Sequence, residues 1–470
     1  MNNHDSGSGG GSAPDGGHSK GRDRSSFRVP VGQHRVGLSS FLIHGRFRTA
    51  KWDYQHHVVP PISSSSTFRL ESAARGAAGF LGFTDPATHR HTRRSVLIYE
   101  RLDEPARSML EDHLAAAEGG RLSVAFASGM AAVSAAVGTQ VSAGEEVVAH
   151  KTLYGCTYSL LTNWMPRWNV AVRYVDLTKV QHLREAITPK TRVVYFETPV
   201  NPTMELIDIE AASKIVRAAN AQRNPEERIR IVVDNTFASP YCQRPLAMGA
   251  DLVVHSLTKN LCGFGTEVGG VVVLPTEELE SDLLLFRKDF GGALNAKTSW
   301  NILVHGLPSL EIRMEREQRT ALQVARYLED HPLVERVYYP GLTGFAQKKL
   351  ARRQMRTPRG EFAPGIMIYF ILKGDEEQRQ KISDEFVDHV ARHAYTITLA
   401  VSLGQIRTLI EKPSTMTHAT VPLESQRDAS IDPGGVRLSI GLEDAEDILA
   451  DLDNAFRGIR QTAADAGIGG

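Results

Sequence analysis

Residues 232–270 read VVDNTFASPYCQRPLAMGADLVVHSLTKNLCGFGTEVGG. Two apolar runs lie in or against this stretch, Ile231-Val232-Val233 and Leu252-Val253-Val254. Each ends abruptly in polar residues, Asp234-Asn235 after the first and His255-Ser256-Leu257-Thr258-Lys259 after the second. Runs this apolar predict strands buried on both faces of a parallel sheet. In an open α/β sheet, ligands bind beyond the carboxyl ends of the strands. The spacing therefore sets an acid, Asp234, and an amine, Lys259, facing one pocket from neighbouring strand ends.

Working outward, strand-like and helical segments alternate on both sides of this stretch. Strands are expected at Leu122 to Phe126, Glu146 to Ala149, Val170 to Val175, Val193 to Phe196 and Val271 to Leu274, and helices over ARSMLEDHLAAAE, after Ser128, and from Ile209 to Ala219. Such alternation predicts an α/β fold, a mostly parallel sheet wrapped by helices. Past residue 306 the pattern turns α+β. A charged helix (Leu310 to Asp330) precedes strands at Ile366 to Leu372 and Thr396 to Val401, and an amphipathic helix runs from Glu443 to Phe456. The expected organisation is a Gly- and Ser-rich disordered tail over 1–37, an extended arm over 38–104, a large domain over 105–305 and a smaller C-terminal α+β domain over 306–470.

Composition sets the class. The chain has 470 residues, 41% apolar and 23% charged, with 54 basic and 54 acidic residues. Those are globular values, and the zero net charge gives no reason to expect a nucleic-acid partner. No apolar run approaches the roughly 20 residues that span a bilayer, so no membrane association is expected. The three cysteines (156, 242 and 262) show no CxxC spacing and cannot all pair, which points to a reducing, cytoplasmic setting. His56-His57 and His89/His91 match no metal-ligand pattern, so no metal is expected.

An amine nucleophile must be deprotonated, and burial lowers a lysine pKa. Lys259 and Asp234 together are what pyridoxal phosphate (PLP) requires: a lysine to form the Schiff base and an acid to pair with the pyridinium nitrogen. Each has a plainer reading, Lys259 as a surface lysine and Asp234 as a cap on the turn through Asn235 and Thr236. Ala127-Ser128-Gly129-Met130 follows a strand and opens an Ala-rich helix. Its N–H groups suit a phosphate, or Ser128 is simply the helix cap. The glycines at 263, 265, 269 and 270 run GxGxxxG rather than GxGxxG and are read as tight turns.

Taken in order, FASGMAA, ETPVNPT, VDNTFASP and SLTK resemble the Cys/Met-metabolism family of fold-type I PLP enzymes, which carry out trans-sulfuration chemistry; the resemblance spans roughly residues 40 to 460. It implies PLP as cofactor. It implies Lys259 as the Schiff-base lysine and proton carrier, and Asp234 on the ring nitrogen. Tyr154 (in LYGCTY) would stack on the ring and act as acid for the sulfur leaving group. Ser128, Gly129, Met130, Ser256 and Thr258 would hold the phosphate, with Asn201 beside the ring oxygen or the substrate. Ser402 and Arg437 (in AVSLG and VRLSIGLE) would bind the α-carboxylate of a small sulfur amino acid. Tyr99 and Arg101 (in IYERLDEPARSMLE) resemble an element that reaches the phosphate of a neighbouring subunit. That implies a homotetramer, a dimer of dimers with shared active sites.

Within the family, three features favour members that cleave methionine: Cys156 after Tyr154-Gly155, Lys288-Asp289 in FRKDFGG, and Val401-Ser402-Leu403-Gly404 followed by PSTMTH. Where related enzymes acting on cystathionine often carry a Glu, Val401 is apolar and suits a thioether tail. The expected reaction is γ-elimination from L-methionine or a related sulfur amino acid to a thiol, 2-oxobutanoate and ammonia. The alternatives are γ-replacement, as in cystathionine γ-synthase or O-acylhomoserine sulfhydrylase, and cystathionine γ-lyase chemistry. Several residues depart from the family pattern: Glu100, Asp103-Glu104-Pro105-Ala106, Asn260, Phe264, Gln405-Ile406-Arg407 and the basic set Arg90, Arg93 and Arg94. They are expected at the substrate entrance and the subunit contact.

Overall fold

A computed structural model describes residues 27–46, 57–84, 97–419 and 421–468. The chain opens with a hairpin of β1 (Arg28–Val31) and β2 (His34–Gly37), then α1 (Leu38–His44) and α2 (Ala73–Thr84). Helix α3 (Pro105–Glu118) leads to β3 (Leu122–Phe126), α4 (Gly129–Gly138), β4 (Glu146–His150), β5 (Ala171–Val175) and β6 (Thr191–Glu197). Helix α5 (Ile209–Asn220), β7 (Arg230–Asp234), β8 (Leu252–Ser256), β9 (Gly270–Leu274) and α6 (Glu280–Phe290) follow. The C-terminal part holds α7 (Leu310–Asp330), β10 (Val334–Tyr338), β11 (Met367–Leu372), α8 (Glu376–His393), β12 (Ile397–Leu399), β13 (Thr408–Glu411), β14 (Gly435–Ser439) and α9 (Ala445–Gly458).

The large sheet has seven strands in the order β3-β9-β8-β7-β6-β4-β5, all parallel except β9, which runs against both its neighbours. Val232, Val233, Val253 and Val254 are fully buried. Burying each such side chain stabilises the fold by about 1.5–3 kcal/mol. Alternation assigns them to opposite faces: Ile231, Val233 and Val253 join one core, while Val232, Leu252 and Val254 join another. Strand β5 departs from the fully buried expectation. It is the sheet edge, and its residues are exposed or half-buried.

The smaller sheet has five strands in the order β10-β11-β14-β13-β12. On β11, Met367, Tyr369 and Ile371 pack into the core shared with the large sheet, while Ile368, Phe370 and Leu372 face the helices α7, α8 and α9. The α/β large unit with a smaller C-terminal sheet is therefore the architecture the alternation predicted. The strand expected over Thr396 to Val401 stops at Leu399, because the chain bends there to deliver Ser402.

Two expectations change. The tail expected over 1–37 is shorter, since residues 28–37 form the hairpin; its first 26 residues lie outside the described residues. The hairpin holds because Val29 is buried and the Phe27 N–H donates to the Pro358 carbonyl at 2.6 Å. Two of the acidic departures, Asp103 and Glu104, are buried within the fold at the start of α3. Glu104 caps α3, accepting from the N–H groups of Ala106 and Arg107, and Asp103 accepts from the Glu104 N–H and the Ser108 hydroxyl. Pro105 at the first helical turn and a left-handed Gly119 after the last complete that helix. Arg90, Arg93 and Arg94 lie outside the described residues.

Candidate active site

Strands β6, β7 and β8 end side by side in Glu197, Asp234 and Ser256, with Glu197 directly opposite Asp234 in the register. Their carboxyl ends open on a cavity of about 380 Å³. Ser128, Gly129 and Met130 line it from the start of α4, Ser256, Thr258 and Lys259 from the end of β8, and Tyr154, Asn201 and Asp234 from neighbouring strand ends. The smaller sheet supplies Val401, Ser402 and Arg437. Residues predicted from separate motifs across the sequence therefore share one pocket.

Lys259 donates from Nζ to the Ser402 hydroxyl at 2.8 Å. Burial pushes its amine down to about 8, the Arg437 charge adding to the fall and Glu411 opposing it. Asp234 is half-buried at the strand end, and its desolvation raises the carboxyl pKa. The Thr236 N–H, 2.9 Å from Oδ1, works the other way. Asp234 caps the turn with one oxygen, as its plainer reading expects, and it also lines the cavity. Tyr195 approaches Oδ2 at only 3.5 Å.

Ser128 likewise caps α4, its hydroxyl accepting from the Ala131 N–H at 3.1 Å. A Cβ on Gly129 would come within 2.9 Å of the Ser256 side chain. The helix N-terminus thus lies against the end of β8, which only glycine permits. Thr258 Oγ1 accepts from the Gly269 N–H at 3.1 Å, which ties the turn after Lys259 to β9. Gly263 and Gly265 take φ of +76° and +71°, as turn glycines do.

Arg437 is 2% exposed at the side chain and donates to Asn201 Oδ1 at 2.8 Å, the Ser402 carbonyl at 3.0 Å and Glu411 at 2.9 Å. Ser402 holds φ of +110°, rare for a residue with a side chain. That conformation lets its hydroxyl meet Lys259 while its carbonyl meets Arg437. Val401 beside it is 57% exposed at the cavity mouth.

Tyr154 donates its N–H to Glu197 at 2.7 Å, and its hydroxyl lies 3.5 Å from the Cys156 thiol. Burial raises the Tyr154 phenol pKa, with the Cys156 contact and the carboxylates of Glu197 and Glu411 adding to it, so the phenol stays protonated near neutral pH. Burial and the adjacent Asp234 raise the Glu197 pKa well above the carboxylate range. Sequence reading gave Glu197 no role. Its signal was there: it ends the apolar run Val193 to Phe196 just as Asp234 ends its own. Glu411 was missed as well.

Tyr99, Arg101, Lys288 and Asp289 are not among the residues lining this cavity. Arg101 stands over the Tyr99 ring and donates to the Lys288 carbonyl on α6, so these residues form a cluster of their own. Asn260 and Phe264, two of the departures, do not line this cavity either. Asn260 is buried and donates to the carbonyls of Thr236 and Phe237, and Phe264 packs beneath Arg313.

The donor set fits PLP. The Asp234 carboxylate and the Lys259 amine, whose pKa burial lowers to about 8, line one cavity, and a helix N-terminus held close by Gly129 offers N–H groups to a phosphate. Fold and site together define a PLP-dependent enzyme of fold type I. The chain belongs to the Cys/Met metabolism PLP-dependent enzymes, whose family profile matches residues 39–457. It is 39% identical over 421 residues to the L-methionine gamma-lyase of Pseudomonas deceptionensis, covering 90% of this chain and 97% of that one. It is 40% identical over 422 residues to the L-methionine gamma-lyase of Porphyromonas gingivalis, covering 90% and 97%. Among solved structures, cystathionine gamma-lyase from Lactobacillus plantarum complexed with L-serine matches with a TM-score of 0.77 at 30% identity, covering 90% of this chain and 100% of that one.

Proposed function

We propose that this chain eliminates the γ-thiol of L-methionine, or of a related sulfur amino acid, giving a thiol, 2-oxobutanoate and ammonia. The observation that carries the reading is apolar Val401 beside the Ser402–Arg437 pair, a neutral lip above an anion seat. The likeness to two L-methionine gamma-lyases at 39% and 40% identity supports it.

Arg437, Ser402 and Asn201 seat the substrate α-carboxylate, and the fixed guanidinium orients the Cα–H bond. Lys259 holds the cofactor through its amine and moves protons at Cα and Cβ. An amine pushed down to about 8 suits a base working near neutral pH. Asp234 holds the ring nitrogen, and Ser128, Gly129, Met130, Ser256 and Thr258 hold the phosphate. When bound, PLP supplies the electron sink beside Cα. Tyr154, still protonated, gives its proton to the departing sulfur, with Cys156 3.5 Å from its hydroxyl. Tyr99 and Arg101 serve the phosphate of a neighbouring subunit in a cytoplasmic homotetramer, with the arm over 38–104 at the contact. Lys288 and Asp289 border the substrate entrance of that same assembly.

Incubation with L-methionine alone tests the reading, and release of 2-oxobutanoate and a volatile thiol is expected. Turnover only when a second thiol is added would move the chain to γ-replacement. Preference for cystathionine, which the likeness to the L. plantarum enzyme supports, would make it a cystathionine γ-lyase.

A further inference from the structure

Glu411 has no place in the chemistry above, yet its carboxylate is almost fully buried against Arg437. The two residues face each other across β13 and β14. Glu411 Oε1 accepts from Arg437 Nη2 at 2.9 Å and from the Thr417 hydroxyl at 2.8 Å. Its other oxygen, Oε2, is buried without a hydrogen-bond partner. A pair built only to hold the fold would be expected to go two-pronged, satisfying both oxygens. This one meets the guanidinium through a single oxygen. Arg437 Nη2 has both its hydrogens committed, to the Ser402 carbonyl and to Glu411, while Nη1 has given one, to Asn201.

We propose that Glu411 sets how tightly this site holds an amino-acid carboxylate, acting as a buried counter-charge that a bound substrate must share. The inference rests on the reading of Arg437 as the carboxylate seat. An incoming carboxylate meets an arginine already neutralised from behind. Two carboxylates then face one guanidinium in a medium where charges are screened far less than in water. The enzyme thereby gives up carboxylate affinity. In return, the seat carries no uncompensated positive charge beside Lys259 when it is empty. Glu411 is a positioning residue and does not line the cavity.

The test uses Glu411→Gln, which keeps an acceptor oxygen toward Arg437 and Thr417, removes the charge and sets an amide NH2 in place of the partnerless Oε2. Holoenzyme of both forms is titrated calorimetrically with L-norleucine, an unbranched amino acid without a γ leaving group, and with L-norleucinamide, which lacks the carboxylate. The variant is expected to bind norleucine about tenfold tighter and the amide equally well, with KM for methionine falling more than kcat changes. Unchanged or weaker norleucine binding overturns the proposal, and so does an equal shift for the amide. Thr417→Val gives a second arm that does not depend on the first variant folding. Without the hydroxyl, Glu411 leans harder on Arg437, so norleucine is expected to bind severalfold more weakly; equal or tighter binding overturns the proposal. Wild type that binds norleucine but releases no 2-oxo acid from methionine would sink the proposed function and leave this comparison standing. No binding to wild type would sink the carboxylate seat itself.

Discussion

Replacing Lys259 with Met takes a buried amine out of the pocket, and the structure says what that does to stability. The amine falls from its ordinary 10.5 to about 8, chiefly through burial. At about 1.36 kcal/mol per pKa unit, the folded cofactor-free protein carries a penalty of about 3 kcal/mol at pH 7 for holding a protonated lysine there. The sign follows from the direction. A lysine whose folded pKa lies below its unfolded one favours the fold fully only above 10.5, and that contribution is lost as pH falls through about 8. At pH 9.5 the same arithmetic leaves a penalty of about 1.4 kcal/mol. Lys259→Met should therefore stabilise the cofactor-free protein at pH 7, and its advantage over wild type should shrink by about 2 kcal/mol at pH 9.5. Urea denaturation of both forms at the two pH values, at one protein concentration, measures this. An advantage that stays constant with pH, or a variant less stable at both values, would refute the account of a strained amine. Activity is expected to vanish throughout.

Asp234→Asn removes a charge-assisted contact worth about 1.5–3 kcal/mol, so PLP should dissociate about 10–100-fold more readily, read as cofactor retained after dialysis with unchanged circular dichroism. Tyr154→Phe should lower kcat by about 10²–10⁴-fold with little change in KM, measured as 2-oxo acid release, because it removes the proton donor to the sulfur. Arg287 pairs with Glu111 at 2.6 Å, with both side chains buried. Arg287→Ala should cost about 3–5 kcal/mol in chemical denaturation, and a double replacement of the pair by apolar residues should recover much of that.

The large sheet was legible because its strands are short apolar runs with abrupt polar ends. Ile231 to Val233 and Leu252 to Val254 declare both strand and pocket. The helix Leu310–Asp330 was read to its last residue because its apolar positions keep a helical period over 21 residues. The hairpin at 28–37 was not legible, since four-residue strands say little alone and this pair holds through Val29 and Phe27 on distant residues. Lys259, Asp234, Tyr154 and Arg437 were found because they sit in motifs. Glu411 was not, because its meaning lies in a cross-strand register with a residue 26 positions on. Asp103 and Glu104 were misplaced because one acidic pattern suits a surface and a helix cap equally well.

The alternation along β11 carries a further consequence. Met367, Tyr369 and Ile371 face one way and Ile368, Phe370 and Leu372 the other, and both sets are buried. Sliding the strand by one residue would exchange two nearly equivalent apolar sets, so hydrophobicity alone does not fix its alignment. The pairing of Arg437 on β14 with Glu411 on β13 does discriminate, because the same slip between those strands would strand a buried charge against an aliphatic side chain. The buried ion pair thus also works as an alignment key between β13 and β14.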